Sequence, residues 1–145
     1  MSWSTAHRRV AALLSAILLG SAAIAWLQAE HEPSAPIEVA QAFLAHLEAR
    51  QVARAYELTT QSGPLGSTLG QFETLASRLP YGNTRLLGSH PFQTNGNRLR
   101  RWAAGREIEM PEVHVEFSGQ CLLRVTLRRT LGGQWRVSKL SSHAG

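Results

Sequence analysis

The sequence predicts an α+β protein: one apolar N-terminal helix, three further helices, then an antiparallel sheet. Three observations predict it. An uncharged apolar run of 18 residues, Val10 to Leu27, follows Arg8 and Arg9. Between Ile37 and Leu79 apolar residues recur every three or four positions, the period of a helix with one buried face. From Asn83 onward the period changes to two, the period of a strand with one buried face. A chain of 145 residues has room for one domain plus a targeting segment. A hydrophobic content of 43% suits a chain that builds a core.

The first element has two readings. A helix over the 18 residues from Val10 to Leu27 rises about 27 Å, enough to cross a hydrocarbon core. Arg8 and Arg9 then stay on the cytoplasmic side, and Trp26 falls at the outer interface. As a signal peptide, the same stretch has a basic start, an apolar centre and a small-x-small site at Ala23-Ile24-Ala25. Both readings export the C-terminal part. No cysteine stands at the end of the apolar run, which excludes a bacterial lipoprotein.

The organisation reads as a cytoplasmic stretch (1–9), the anchor or signal peptide (10–27), a polar tether (28–35), an α+β domain (36–141) and a tail (142–145). Pro36 suits the first turn of a helix, where its missing N–H costs nothing. Ile37, Ala40, Phe43, Leu44 and Leu47 form the stripe of that helix. A second, shorter helix carries Val52, Ala55, Tyr56 and Leu58. Thr68 and Gln71 have capping-box spacing and open a third, with Phe72, Leu75, Ala76 and Leu79 on its face. Pro80 and Gly82 stop it.

Strands follow. Asn95-Gly96 is a strong turn dipeptide, so the flanking segments, including Arg98 to Arg106, read as a hairpin. "EVHVEF", "CLLRVTLRRT" and "QWRVSKL" complete the sheet. A three-residue connection over Ser118–Gln120 pairs Phe117 with Cys121, Val115 with Leu123 and Val113 with Val125, all on one face. The next pairing sets Leu127 against Val137 and Arg129 against Trp135. Glu112, His114 and Glu116 then share the outer face with Arg124, Arg128 and Arg136. Such alternation of Glu, His and Glu invites a metal or acid–base reading. Cationic neighbours repel a metal ion, so the set reads as a solvated lattice of cross-strand pairs.

Charge and cysteine narrow the function. The net charge of +5 comes from 14 Arg and one Lys against ten Glu, with no Asp at all. Arg98, Arg100, Arg101 and Arg106 surround Trp102, but no nucleic-acid motif encloses them, and nucleic acid is not an expected partner. Cys121 is the single cysteine, so no intramolecular disulfide forms. No catalytic triad, phosphate loop or cysteine pair occurs, and no cofactor is expected.

The helix pair "VAQAFLAHLEARQVARAYELTT" and the closing "GGQWRVSKL" resemble the nuclear-transport-factor-two-like superfamily, also called SnoaL-like or cystatin-like, over residues 36 to 141. The resemblance implies a cone in which a curved antiparallel sheet wraps the helices and leaves a pocket at one end. On aromatic type and facing, Tyr56, Phe72, Tyr81 and Trp102 are candidate pocket residues. The isomerases of that superfamily use an acidic base, usually Asp, which this chain lacks. The expected protein is a non-catalytic domain on the periplasmic side of a bacterial inner membrane. It acts by protein contact or by holding a small apolar ligand. Arg124, Arg128, Arg136, Arg98 and Arg101 offer a surface to an acidic partner. Two alternatives stand beside it: an isomerase or cyclase using a pocket Glu or His, with Glu73 and His90 as candidates, and a cleaved, soluble periplasmic carrier.

Overall fold

Helical spacing puts Phe43, Leu44 and Leu47 on one face of a helix, and strand spacing puts Val113, Val115 and Phe117 on one face of a strand. The core forms where those faces meet. The structure is a computed structural model and describes residues 5–79 and 81–143. Residues 1–4 of the expected cytoplasmic stretch, the helix-stopping Pro80 and residues 144–145 of the expected tail lie outside them.

The fold is α+β, with an apolar N-terminal helix and open antiparallel sheets. The order is α1 (Thr5–Gln28), β1 (Glu30–His31), α2 (Ser34–Glu48), α3 (Val52–Glu57), a 3-10 turn (Gly63–Leu65) and α4 (Leu69–Ala76). Then come β2 (Arg85–His90), β3 (Gln93–Thr94), α5 (Asn95–Ala103), β4 (Glu112–Ser118), β5 (Leu122–Arg129) and β6 (Trp135–His143). The chain divides into two compact units. One holds α1, β1, β3 and α5; the other holds α2 to α4, β2 and β4 to β6.

In the larger unit the strand order is β2-β4-β5-β6. Helix α2 lies against β4, β5 and β6 and buries Ile37, Ala40, Phe43, Leu44 and Leu47. Phe72 of α4 sits between Phe43 and Tyr56, with ring centroids 6.0 and 5.5 Å away. Thr68 caps α4: its hydroxyl accepts from the Gln71 N–H at 3.3 Å. The Gln71 side chain reaches back one residue further than a capping box requires and accepts from the Ser67 N–H at 2.9 Å.

The smaller unit is built on α1, whose 24 residues rise about 36 Å. The stretch His7–Gln28 is long and apolar enough to cross a membrane, by length and composition; a signal sequence meets the same description. Strand β1 pairs with β3, Glu30 opposite Thr94 and His31 opposite Gln93.

Three expectations are corrected. The segment after Asn95-Gly96 is helix α5, not the second arm of a hairpin. Thr94 supplies an N-cap, its hydroxyl accepting from the Asn97 N–H at 3.2 Å, and Leu99, Trp102 and Ala103 have helical spacing. The β4–β5 register lies two residues from the expected one. Phe117 pairs with Leu123, Val115 with Val125 and Val113 with Leu127. A slip of two keeps every side chain on its face, so the buried set is unchanged while the outer pairs are new. Cys121 falls at the bend before β5, partly buried against the core, and not on the strand. The β5–β6 pairs Leu127–Val137 and Arg129–Trp135 are as expected.

Candidate functional site

The outer face of the larger sheet is polar because the inner face takes the apolar half of each alternation. Glu112, His114 and Glu116 of β4 face Arg128, Thr126 and Arg124 of β5, in that order. On β6, Val137 and Leu140 are both buried, yet three residues apart they cannot face one side of a regular strand. A bulge at Ser138 resolves this, between the pairs Thr126–Lys139 and Leu127–Val137. It turns Lys139 and Ser141 outward beside Thr126 and Arg124. The Ser138 hydroxyl donates to the Thr126 carbonyl at 3.2 Å.

One edge of this face is walled. The chain after α3 runs beside β6: the Val137 N–H donates to the Leu58 carbonyl at 2.9 Å, and the Thr60 N–H donates to the Val137 carbonyl at 2.8 Å. The 3-10 turn buries Leu65 in the core and holds Ser62, Gly63 and Pro64 above the sheet. Gly66 ends the turn at φ 88, a conformation that favours glycine. The result is a hollow of about 520 Å³, floored by Glu112, His114, Arg124, Thr126, Arg128 and Lys139 and rimmed by Thr60 and Ser62 to Pro64.

The charges of the outer sheet face form two chains. In one, Arg124 donates Nε and Nη2 to Glu116 Oε1 at 3.0 and 2.7 Å, and Glu116 Oε2 lies 3.9 Å from His90 Nε2. In the other, Arg128 Nε donates to Glu112 Oε2 at 2.5 Å. Glu112 Oε1 lies 3.7 Å from His114 Nε2, and His114 Nδ1 shares a hydrogen bond with Thr126 Oγ1 at 3.0 Å. Arg128 is two-thirds exposed, and its Nε alone is engaged by a described residue. Arg136 donates to the Glu57 carbonyl and, at 3.1 Å, to Gln134 Oε1. Four cations (Arg124, Arg128, Arg136, Lys139) meet two carboxylates (Glu112, Glu116), an excess of two positive charges. Among the described residues no three His, Cys or Glu side chains gather within reach of one metal ion.

The other expected residues are dispersed. Phe72 is fully buried in the core and Tyr56 packs against it. Tyr81 borders a second hollow of about 710 Å³, shared with Val52, Glu73, Ala76 and Leu79; Glu73 there is exposed. Trp102 belongs to the smaller unit and is 65% exposed. Arg98 is bound to Glu109 Oε1 at 2.6 Å and to His31 Nδ1 at 3.0 Å. Arg101 donates to the carbonyls of Glu107 and Glu109 at 2.7 and 3.4 Å. Sequence reading places Thr126 on this face, against Glu112, but omits Lys139 and the 60–64 rim. The three-residue spacing of Val137 and Leu140 was the signal for Lys139, since it demands a bulge.

Comparison of the chain with protein-family models, with characterised proteins and with solved structures finds no match.

Proposed function

We propose that the protein is a non-catalytic, single-pass domain of a bacterial inner membrane, anchored by α1 and facing the periplasm, which takes an acidic protein partner on its outer sheet face. The observation that carries this is the walled, cation-rich hollow around Arg128. A guanidinium has five N–H donors; Arg128 spends its Nε on Glu112 and leaves the planar Nη edge for a carboxylate, the geometry that favours bidentate recognition. Two surplus positive charges would steer an acidic surface toward it and repel a second copy of the same face. The SnoaL-like cone is part of the same proposal. The order of α2, α3 and α4 before a four-stranded antiparallel sheet supports it. Retention of α1 is favoured over cleavage by Trp26 and Leu27, which continue the helix past Ala25.

The small-ligand reading draws less support, because Phe72 is sealed in the core and Trp102 belongs to the other unit. Native mass spectrometry of full-length protein, extracted gently from its own host membrane, tests the proposal. The expected spectrum shows the uncleaved mass with a protein adduct that Arg128→Gln with Lys139→Gln abolishes. A mass shortened at Ala25 and carrying a small-molecule adduct overturns it in favour of a carrier or an enzyme.

A further inference from the structure

Helix α5 is amphipathic. Leu99, Trp102 and Ala103 share one face, and Arg101 lies opposite, with Arg98 and Arg100 on the two flanks. Its apolar face is largely uncovered: Leu99 is 46% and Trp102 65% exposed, and Phe92 just before β3 is 64% exposed. From Asn95 to Arg106 there are four arginines and no acid. Arg98 and Arg101 are held inward by His31, Glu109 and backbone carbonyls. Arg100 and Arg106 are exposed, and their side chains make no hydrogen bond or ion pair with the described residues.

The start of α5 is fastened to the end of α1. The Asn95 side chain donates to the Trp26 carbonyl at 3.0 Å, and its backbone N–H donates to the Ala29 carbonyl at 3.1 Å. Gly96 approaches so closely that a Cβ there would stand 3.0 Å from the Leu27 carbonyl oxygen. Among the described side chains of α1, Leu27 alone is half-covered. A mainly apolar hollow of about 500 Å³ between Leu27 and Leu99 marks the junction. Helix α5 therefore begins at the level where the apolar run stops, which for a spanning α1 is the headgroup layer.

We infer that α5 is an interfacial membrane element. It lies in the outer headgroup layer of the bilayer that α1 crosses, with Phe92, Leu99 and Trp102 at the acyl boundary and Arg100 and Arg106 on anionic lipid phosphates. The arrangement has the composition of such helices: aromatic and aliphatic side chains on one face, arginine on the other, with Trp at the interface. The inference rests on the anchor reading of α1. It needs no protein partner, since the same bilayer that receives α1 reaches α5.

Full-length protein in phosphatidylcholine vesicles, with and without phosphatidylglycerol, tests it by brominated-lipid quenching of tryptophan. The difference between the parent and Trp102→Phe isolates Trp102; the difference from Trp26→Phe isolates Trp26. Both signals are expected to be quenched more by lipids brominated near the carbonyl end than near the methyl end. Phosphatidylglycerol should deepen Trp102 quenching, and Arg100→Gln with Arg106→Gln should remove at least half of that gain. Quenching of Trp26 with an indifferent Trp102 overturns the inference, leaves the anchor standing and assigns the α5 face to a protein. Quenching of neither overturns both. Quenching of Trp102 without any response to phosphatidylglycerol overturns the phosphate contacts.

Discussion

Arg128 and Arg136 stand directly opposite each other across the β5–β6 pair. Like charges so placed repel. The repulsion is offset on one side by Glu112, bonded to Arg128, and on the other by the Glu57 carbonyl and Gln134, which take Arg136. Glu112→Gln removes the only carboxylate among the described residues that serves Arg128. It should lower stability by about 0.5 kcal/mol, since the Arg128 side chain is two-thirds exposed. Added salt should shrink the loss by screening the two arginines. Thermal unfolding of the detergent-solubilised full chain at low and high salt measures both effects. An equal loss at the two salt levels would refute the electrostatic account.

Phe72 and Trp102 separate core from surface. Phe72 is 1% exposed and packs against the rings of Phe43 and Tyr56. Phe72→Ala should cost about 3 to 5 kcal/mol, through lost burial and the cavity left behind. Trp102→Ala, at an exposed site, should change stability by no more than about 0.5 kcal/mol. Denaturant unfolding monitored by circular dichroism gives both numbers. A Phe72→Ala variant of parental stability would mean that this side chain lines an open pocket.

These cases show what a sequence can and cannot say here. Apolar spacing marks α1, α2 and the inner face of β4 and β5, because each depends on period alone. Period fixes which face a strand residue takes, but not which partner it meets. The β4–β5 pairing could therefore slip by two without exposing Val113, Val115 or Phe117. The observed register pairs Glu116 with Arg124 and Glu112 with Arg128. The expected one would have set Glu112 against Thr126 and Glu116 against Leu122. At α5 two local signals competed. Asn95-Gly96 suggests a turn, but the Thr94 cap and the contact of Gly96 with Leu27 select a helix. That contact joins residues far apart in the chain, and no local pattern announces it. Facing also cannot tell a core aromatic from a pocket aromatic, so Phe72 and Trp102 look alike in the sequence.

The rim of the hollow has its own weak point. Gly66 has φ 88, and a Cβ there would lie 2.7 Å from Gln71 Cβ. Gly66→Ala therefore strains the backbone and displaces the glutamine that accepts from the Ser67 N–H. The combined cost should be about 1 to 3 kcal/mol. Gln71→Ala, which removes that hydrogen bond without the backbone strain, should cost about 1 kcal/mol or less. Unfolding free energies of the two variants, compared in one denaturant series, decide whether strain exceeds the lost bond. Equal losses would place the whole effect in the cap.

Gly96 governs the junction of α1 and α5 by the same kind of proximity. A methyl group there would meet the Leu27 carbonyl oxygen at 3.0 Å, closer than a carbon and an oxygen pack without displacement. The obstacle is backbone, which cannot rotate away as a side chain would. Gly96→Ala should lift the first turn of α5 and lengthen the bond from the Asn95 N–H to the Ala29 carbonyl. Amide hydrogen exchange reports this directly, because exchange at that N–H follows local opening. Exchange at Asn95 should rise about tenfold, the equivalent of about 1.4 kcal/mol in the opening equilibrium. The amides paired between β4 and β5 provide the internal reference. Unchanged exchange at Asn95 would mean that the α1 terminus yields without loosening its hold on α5, and that glycine is not required at position 96.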